Sequence, residues 1–270
     1  MVSRAQIGAI LDDYEDITIA TVCSHSSLQI FHGARQEGFR SLGIAVGSQP
    51  RYYDAFPLAK PDEFLVVDSY KDIPDHADQL VAKNEEEFKS SIRPGMKYTI
   101  QEYIIGTRYY MHYFYSPIVE KGYRVSKGSL EMLGIDRRDE ANIDEMYKLG
   151  AQERLRELDI YPTFVVTGNM PVVLRESLLP AALAMGERVV ERSLDLFGGM
   201  IGPFCLETIV QDDLKFRVFE ISSRIVAGTN LFVTGSPYSD LAEPGMSTGR
   251  RIAREIKLAR KAGRLMDVVS

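Results

Sequence analysis

The chain has 270 residues, enough for one large or two modest domains with real cores. Hydrophobic residues make up 45% and charged residues 26%, an ordinary globular balance, and the formal net charge of -6 argues against a polyanion-binding surface, so no nucleic-acid partner is expected. Two cysteines, Cys23 and Cys205, are too few for a disulfide scaffold; both sit in apolar runs and read as small core residues of a reducing compartment.

Along the chain, Ser3 is placed to cap a helix that runs to about Tyr14. Asp12 and Asp13 interrupt this stretch before a signal-peptide core can form, and no apolar run is long enough to span a bilayer, so the expected location is the cytoplasm, with no membrane partner. Ile17 to Cys23 reads as a buried strand. Ser24-His25-Ser26-Ser27 follows as a turn, then a helix ends near Gly38. SLGIAV and EFLVVD read as further strands, and Asp72 or Pro74 opens another short helix. Strands alternating with helices imply a parallel sheet.

From Tyr98 the texture changes. YTIQEYIIGTRYYMHYFYSPIV is rich in aromatic and β-branched residues, which predicts antiparallel strands. Lys121-Gly122 is a turn into RVSKGSLEMLGI, and a helix is expected over about Ile143 to Leu158. TFVVTG is a strand, and ESLLPAALAMGERVVERSLDLF is a long amphipathic helix with Pro180 in its first turns. A hairpin, a glycine-containing loop and a terminal helix near Gly249 to Ala262 complete the reading. The fold class is α/β: a parallel-sheet domain over 1–84 and a mixed or antiparallel α+β domain over 85–270.

The sharpest chemistry lies in PFCLETIVQDDLKFRVFEISSR. If Asp212-Asp213 is a two-residue turn, Glu207 faces Val218 and Glu220 faces Cys205. The two glutamates are then diagonal neighbours on one sheet face, roughly 7–8 Å apart at Cβ. There they are placed to converge on hard cations bound to phosphate oxygens. Ser222 and Arg224 continue that face. A one-residue change of register separates the glutamates, and a solvated hairpin face with a Glu–Arg pair is the plain alternative. His112 alternates with aromatics and reads as structural. Arg137, Arg138 and Arg175 are of the type that meets anions, but each reads first as a surface cation.

An acidic residue on one strand followed by Glu-x-(Asn/Ser)-x-Arg on the next resembles the metal-and-phosphate signature of ATP-grasp ligases. That resemblance implies an ATP-grasp fold with a Rossmann-like N-terminal domain, Mg²⁺ or Mn²⁺ on Glu207 and Glu220, and a catalytic Arg224 facing the phosphates. IQEYIIGT is similar to the family's adenine hinge, which would put Gln101 and Glu102 beside the base and ribose of ATP. Longer strings, among them TIATVCSHSSLQIFHGARQEGF, VVTGNMPVVLRESLLP and FEISSRIVAGTN, resemble the archaeal formate-dependent 5-formamidoimidazole-4-carboxamide ribonucleotide synthetases over nearly the whole chain. The implied substrates are ATP, formate and 5-aminoimidazole-4-carboxamide ribonucleotide (AICAR), and the implied assembly is a homo-oligomer. The resemblance assigns Ser24, His25 and Asn142 to the ribonucleotide. A turn between a strand and a helix N-terminus suits a phosphate, although a plain helix cap would use the same serines.

One departure stands out. IPDHADQLVAKN runs directly into EEEFKSSIRPGMKY, with no glycine-rich lid between, and the missing piece is roughly 50–100 residues by the usual size of a small domain. Either a lid belongs between Asn84 and Glu85, which the abrupt junction favours, or the molecule is truncated; an intact mass of 30.4 kDa would reject the first. Competing functions are another ATP-grasp carboxylate–amine ligase and a lid-less, non-catalytic nucleotide-binding protein. A dinucleotide-dependent oxidoreductase is disfavoured, because no G-x-G-x-x-G follows the first strand.

Overall fold

The structure, a computed structural model, describes residues 17–24, 26–70, 72–73, 104, 106–140, 165–226 and 233–269. The helices expected near Ser3–Tyr14, after Pro74 and over Ile143–Leu158 lie outside these residues, as do His25, Gln101, Glu102 and Asn142.

The β-branched run after Ile17 forms β1 (Thr18–Val22), and α1 (Ser27–Glu37) follows, closed by Gly38 at φ 81°. A left-handed closing residue is the conformation glycine adopts without strain. Next come β2 (Arg40–Val46) and β3 (Glu63–Val67), and the three strands pair in parallel in the order β1-β2-β3. The alternation of strand and helix in the sequence is what imposes that direction.

The second region begins with β4 (Thr107–Ser116), β5 (Tyr123–Arg124), β6 (Ser129–Glu140) and β7 (Val166–Pro171). Then α2 (Leu179–Phe197) leads to β8 (Gly202–Val210) and β9 (Phe216–Ser222), and the chain ends with α3 (Ser239–Ala242) and α4 (Thr248–Lys261). Strands of this region run antiparallel in the order β5-β6-β4-β8-β9, with β7 on the outer side of β6.

The sheet has two unlike faces. Met111, Tyr113 and Tyr115 of β4 point to one side with Leu206, Phe204 and Leu130, where Ala182, Met185 and Val190 of α2 cover them. Tyr113 is fully buried, stacks on Phe204 at 5.1 Å and donates its hydroxyl to Ala182 O at 2.8 Å. Burying a ring of this size supplies a few kcal/mol per residue, and Gly186 leaves α2 room to settle on it, since a Cβ there would lie 2.8 Å from the Tyr113 ring. The opposite face carries Arg108, Tyr110, His112 and Ser116 and holds the charged side chains.

The two regions meet through their helices. Gly33 of α1 and Gly249 of α4 lie against one another's backbones: a Cβ on Gly33 would stand 2.2 Å from Arg250 N, and one on Gly249 2.1 Å from Gln29 O. Ile19, Ala34 and Ala253 form the small core between them. Around it Glu37 accepts from Arg250 and Arg254 of α4 at 2.9 Å. Cys205 is fully buried, as expected, but Cys23 is half-buried beside Tyr53.

Candidate active site on the β8–β9 hairpin

Asp212-Asp213 does form a turn, closed by Leu214 N donating to Gln211 O at 3.0 Å. The register nevertheless differs from a two-residue loop. Leu214 takes a left-handed φ of 58°, so the loop gains a residue and Val210 pairs with Phe216. A bulge between Glu207 and Thr208 then absorbs Phe219. Each shift alone would flip the side chains of β9 to the other face; together they restore it. Glu207 therefore faces Glu220 directly, rather than diagonally, and Cys205 faces Ser222.

The two carboxylates share a hydroxyl. Ser222 Oγ lies 3.2 Å from Glu207 Oε1 and 3.1 Å from Glu220 Oε1, and its single proton serves one of them at a time. Glu207 is buried and Glu220 exposed. Burial pushes the Glu207 carboxyl above the usual carboxylate range; Arg138 offsets part of that shift, while the charge of Glu220 adds to it.

Arg138 was expected at the surface. Its side chain is instead 12% exposed, with Nη1 3.4 Å from Glu207 Oε2 and the guanidinium 3.7 Å above the Tyr110 ring. The cause is non-local: β6 and β8 both flank β4, so Arg138 reaches Glu207 across Tyr110, which pairs with Glu207. Two residues along β4, His112 bonds Asp136 through Nε2 and pairs with Cys205. Burial alone would favour neutral imidazole, but Cys205 and Asp136 outweigh it and push the His112 pKa up to about 10. This buried ion pair forms the floor next to the glutamates, in keeping with a structural His112.

Arg224 lies just past β9, exposed, with Nη1 donating to Ile225 O at 3.0 Å. Its charge still acts on Glu207, so it lies near the carboxylates without touching them. Ser24 is exposed at the end of the β1 loop, and its carbonyl accepts from Ser27 N and Ser27 Oγ. Ser27 Oγ also meets the fully buried Tyr53 hydroxyl at 2.6 Å, which ties the loop to the sheet below. Ser26 occupies the N-cap of α1 without a side-chain cap, and its buried Oγ has no partner among the described residues. A serine that merely capped the helix would bond a backbone N–H there.

Among the described residues no group of three or more His, Cys, Asp or Glu could hold a metal ion. Two facing carboxylates with a shared hydroxyl fit a hard cation that takes its other oxygens from a bound phosphate and water, the habit of Mg²⁺. They do not form a closed all-protein cage.

Two family models match the chain: a domain of unknown function (DUF1297) over residues 82–270 and a protein of unknown function (DUF1246) over residues 19–87. A 5-formaminoimidazole-4-carboxamide-1-(beta)-D-ribofuranosyl 5'-monophosphate synthetase of Methanothrix thermoacetophila is 51% identical, with all of both chains covered. This chain belongs to that synthetase family. A second synthetase, from Methanococcoides burtonii, is 47% identical, again over all of both chains. Among solved structures, an IMP biosynthesis protein PurP from Thermococcus kodakaraensis superposes with a TM-score of 0.68 at 27% identity, covering 94% of this chain and 100% of that one. The fold is the ATP-grasp fold, as the hairpin motif implied. The alignment with the Methanothrix synthetase is 356 positions long against 270 residues here, which leaves 86 positions where the relative has residues and this chain has none. Among the described residues no helix is long and apolar enough to cross a membrane.

Proposed function

We infer that the protein is an ATP-dependent carbon–nitrogen ligase that joins formate to AICAR, giving 5-formamidoimidazole-4-carboxamide ribonucleotide, ADP and phosphate in purine biosynthesis. The observation that carries this reading is the 51% identity to a named synthetase with both chains covered from end to end. Residence in the cytoplasm and assembly with copies of itself rest on composition and on the family resemblance.

The chemistry follows in two steps. A formate oxygen takes the γ-phosphoryl group of ATP, and ADP leaves, which gives formyl phosphate. The 5-amino nitrogen of AICAR then attacks the formyl carbon; phosphate departs with the C–O electron pair, and the nitrogen loses a proton. Glu207 and Glu220 are the residues that would hold Mg²⁺ or Mn²⁺, which neutralises phosphate charge when bound. Ser222 keeps the two carboxylates at a fixed spacing. Arg224, free to swing from the Ile225 carbonyl, faces the phosphates. Ser24 and His25 receive the ribonucleotide before α1, where Ser26 Oγ, without a partner among the described residues, and the helix dipole favour an anion. The family resemblance assigns Gln101 and Glu102 to the base and ribose of ATP and Asn142 to the ribonucleotide.

An assay of ADP release with ATP, Mg²⁺, formate and AICAR tests this. Release that needs both formate and AICAR is expected; release independent of formate would count against it. The 86 unmatched positions favour one alternative, a protein without the lid that binds nucleotide but does not turn it over. That reading predicts saturable ATP binding with no ADP formed.

A further inference from the structure

Arg138 and Arg251 are both guanidiniums held against the polar face of one sheet, with side chains 12% and 4% exposed. Arg251 is saturated. Its Nε and Nη2 take Glu131 in a fork at 2.8–3.1 Å, and its Nη1 takes Glu255 at 2.8 Å. Arg138 is not. Among the described residues it makes one long hydrogen bond, from Nη1 to Glu207 at 3.4 Å, and its buried Nε has no partner. A buried donor without a partner is normally avoided, because losing water without replacement costs about 1–3 kcal/mol. The unused Nε edge is the edge that grips a carboxylate through two parallel hydrogen bonds.

We propose that Arg138 binds the carboxylate of the small acid substrate, formate if the function proposed above is right. Three features carry this. The guanidinium carbon lies over the Tyr110 ring, 3.7 Å from its centroid, which limits how the group can turn. Its one ion partner, Glu207, is also a carboxylate that a cation would claim, which releases Arg138 for an incoming anion. An acid held by Arg138 would sit beside Glu207, next to the phosphoryl group that its oxygen must attack. A planar two-oxygen anion of the smallest size matches the fork; a bare positive point charge would not fix its plane.

Two readouts test the proposal. Saturation-transfer NMR follows the single formate proton in the presence of Mg²⁺ and ADP, with no turnover required. Transfer is expected with the wild-type protein and not with Arg138→Leu. In steady-state kinetics Arg138→Leu should raise the formate KM about 10- to 100-fold, while the KM values for ATP and AICAR stay within about twofold. Arg138→Lys keeps the charge but not the fork and should recover a small part of the loss, which also covers a Leu variant that fails to fold. An unchanged formate KM in either folded variant, or no transfer to formate with wild-type protein, overturns the proposal. If wild-type ADP release proves independent of formate while the NMR signal still depends on Arg138, the ligase reading fails and the carboxylate site stands.

Discussion

Two charge clusters lie on one face of the same antiparallel sheet. At the Ser116 end, Ser116 donates to Glu255 at 2.7 Å, Glu255 pairs with Arg251, and Arg251 forks onto Glu131 over the Phe114 ring. At the Tyr110 end, Arg138 lies over Tyr110 and reaches one oxygen of Glu207, whose neighbours are Ser222 and a second carboxylate. The side-chain types are nearly the same in both. In the first cluster one guanidinium lies between two carboxylates and bonds both, with α4 laid over it, although the buried Ser129 Oγ beside Ser116 has no partner among the described residues. In the second, two like charges face each other, Arg138 Nε and Asp136 Oδ2 are buried without partners among the described residues, and Glu207 is held above the usual carboxylate range. A network that serves only the fold completes its bonds, whereas one that awaits a ligand leaves bonds for it to complete.

Substitutions separate the two. Arg251→Ala strips this cluster of its guanidinium and leaves Glu131 and the buried Glu255 without that cation. It should lower unfolding stability by about 3–5 kcal/mol in denaturant titrations, with turnover per folded molecule unchanged. Glu220→Gln should do the reverse. Turnover falls at least about 100-fold, as for loss of a group that steadies transition-state charge, while the melting temperature barely moves, because Glu220 is exposed. Equal loss of stability in both variants would erase the distinction.

The smallest effect concerns pH. The folded-state pKa of Glu207 is raised, so the fold holds this proton more tightly than the unfolded chain does. Stability from this group is complete below the ordinary carboxylate pKa and is lost as pH rises through the raised one. Glu207→Gln should therefore melt near the wild type at pH 4 and gain on it towards pH 8 in thermal scans without metal. A gap that stays constant with pH would show that Glu207 is not strained.

Local patterns carried much of the fold. The β-branched run of β1, the amphipathic pattern of α2 and the aromatic alternation of β4 each lie in sequence as they lie in space. The site was less legible. Glu207 and Glu220 share a face, but the pairing came from two one-residue shifts, at Leu214 and Phe219, that a hairpin rule does not anticipate. Leu214 is a poor candidate for a positive φ, and nothing in its residue type announces one. Arg138 reads first as a surface cation because its environment depends on which strands flank β4, and sheet order is not written in any single segment. A run of charges such as Asp136-Arg137-Arg138-Asp139-Glu140 looks solvated, although Asp136 is fully buried.

The glycine crossing of α1 and α4 also sets an order of events. The helix that covers α1 is made more than two hundred residues after it, so during synthesis the parallel sheet waits on the order of ten to forty seconds for its partner. In that interval the flank of α1 around Gly33 and Ala34 lacks the α4 backbone that it packs against. Of the two regions, the one made earlier is thus finished only when the later one is complete.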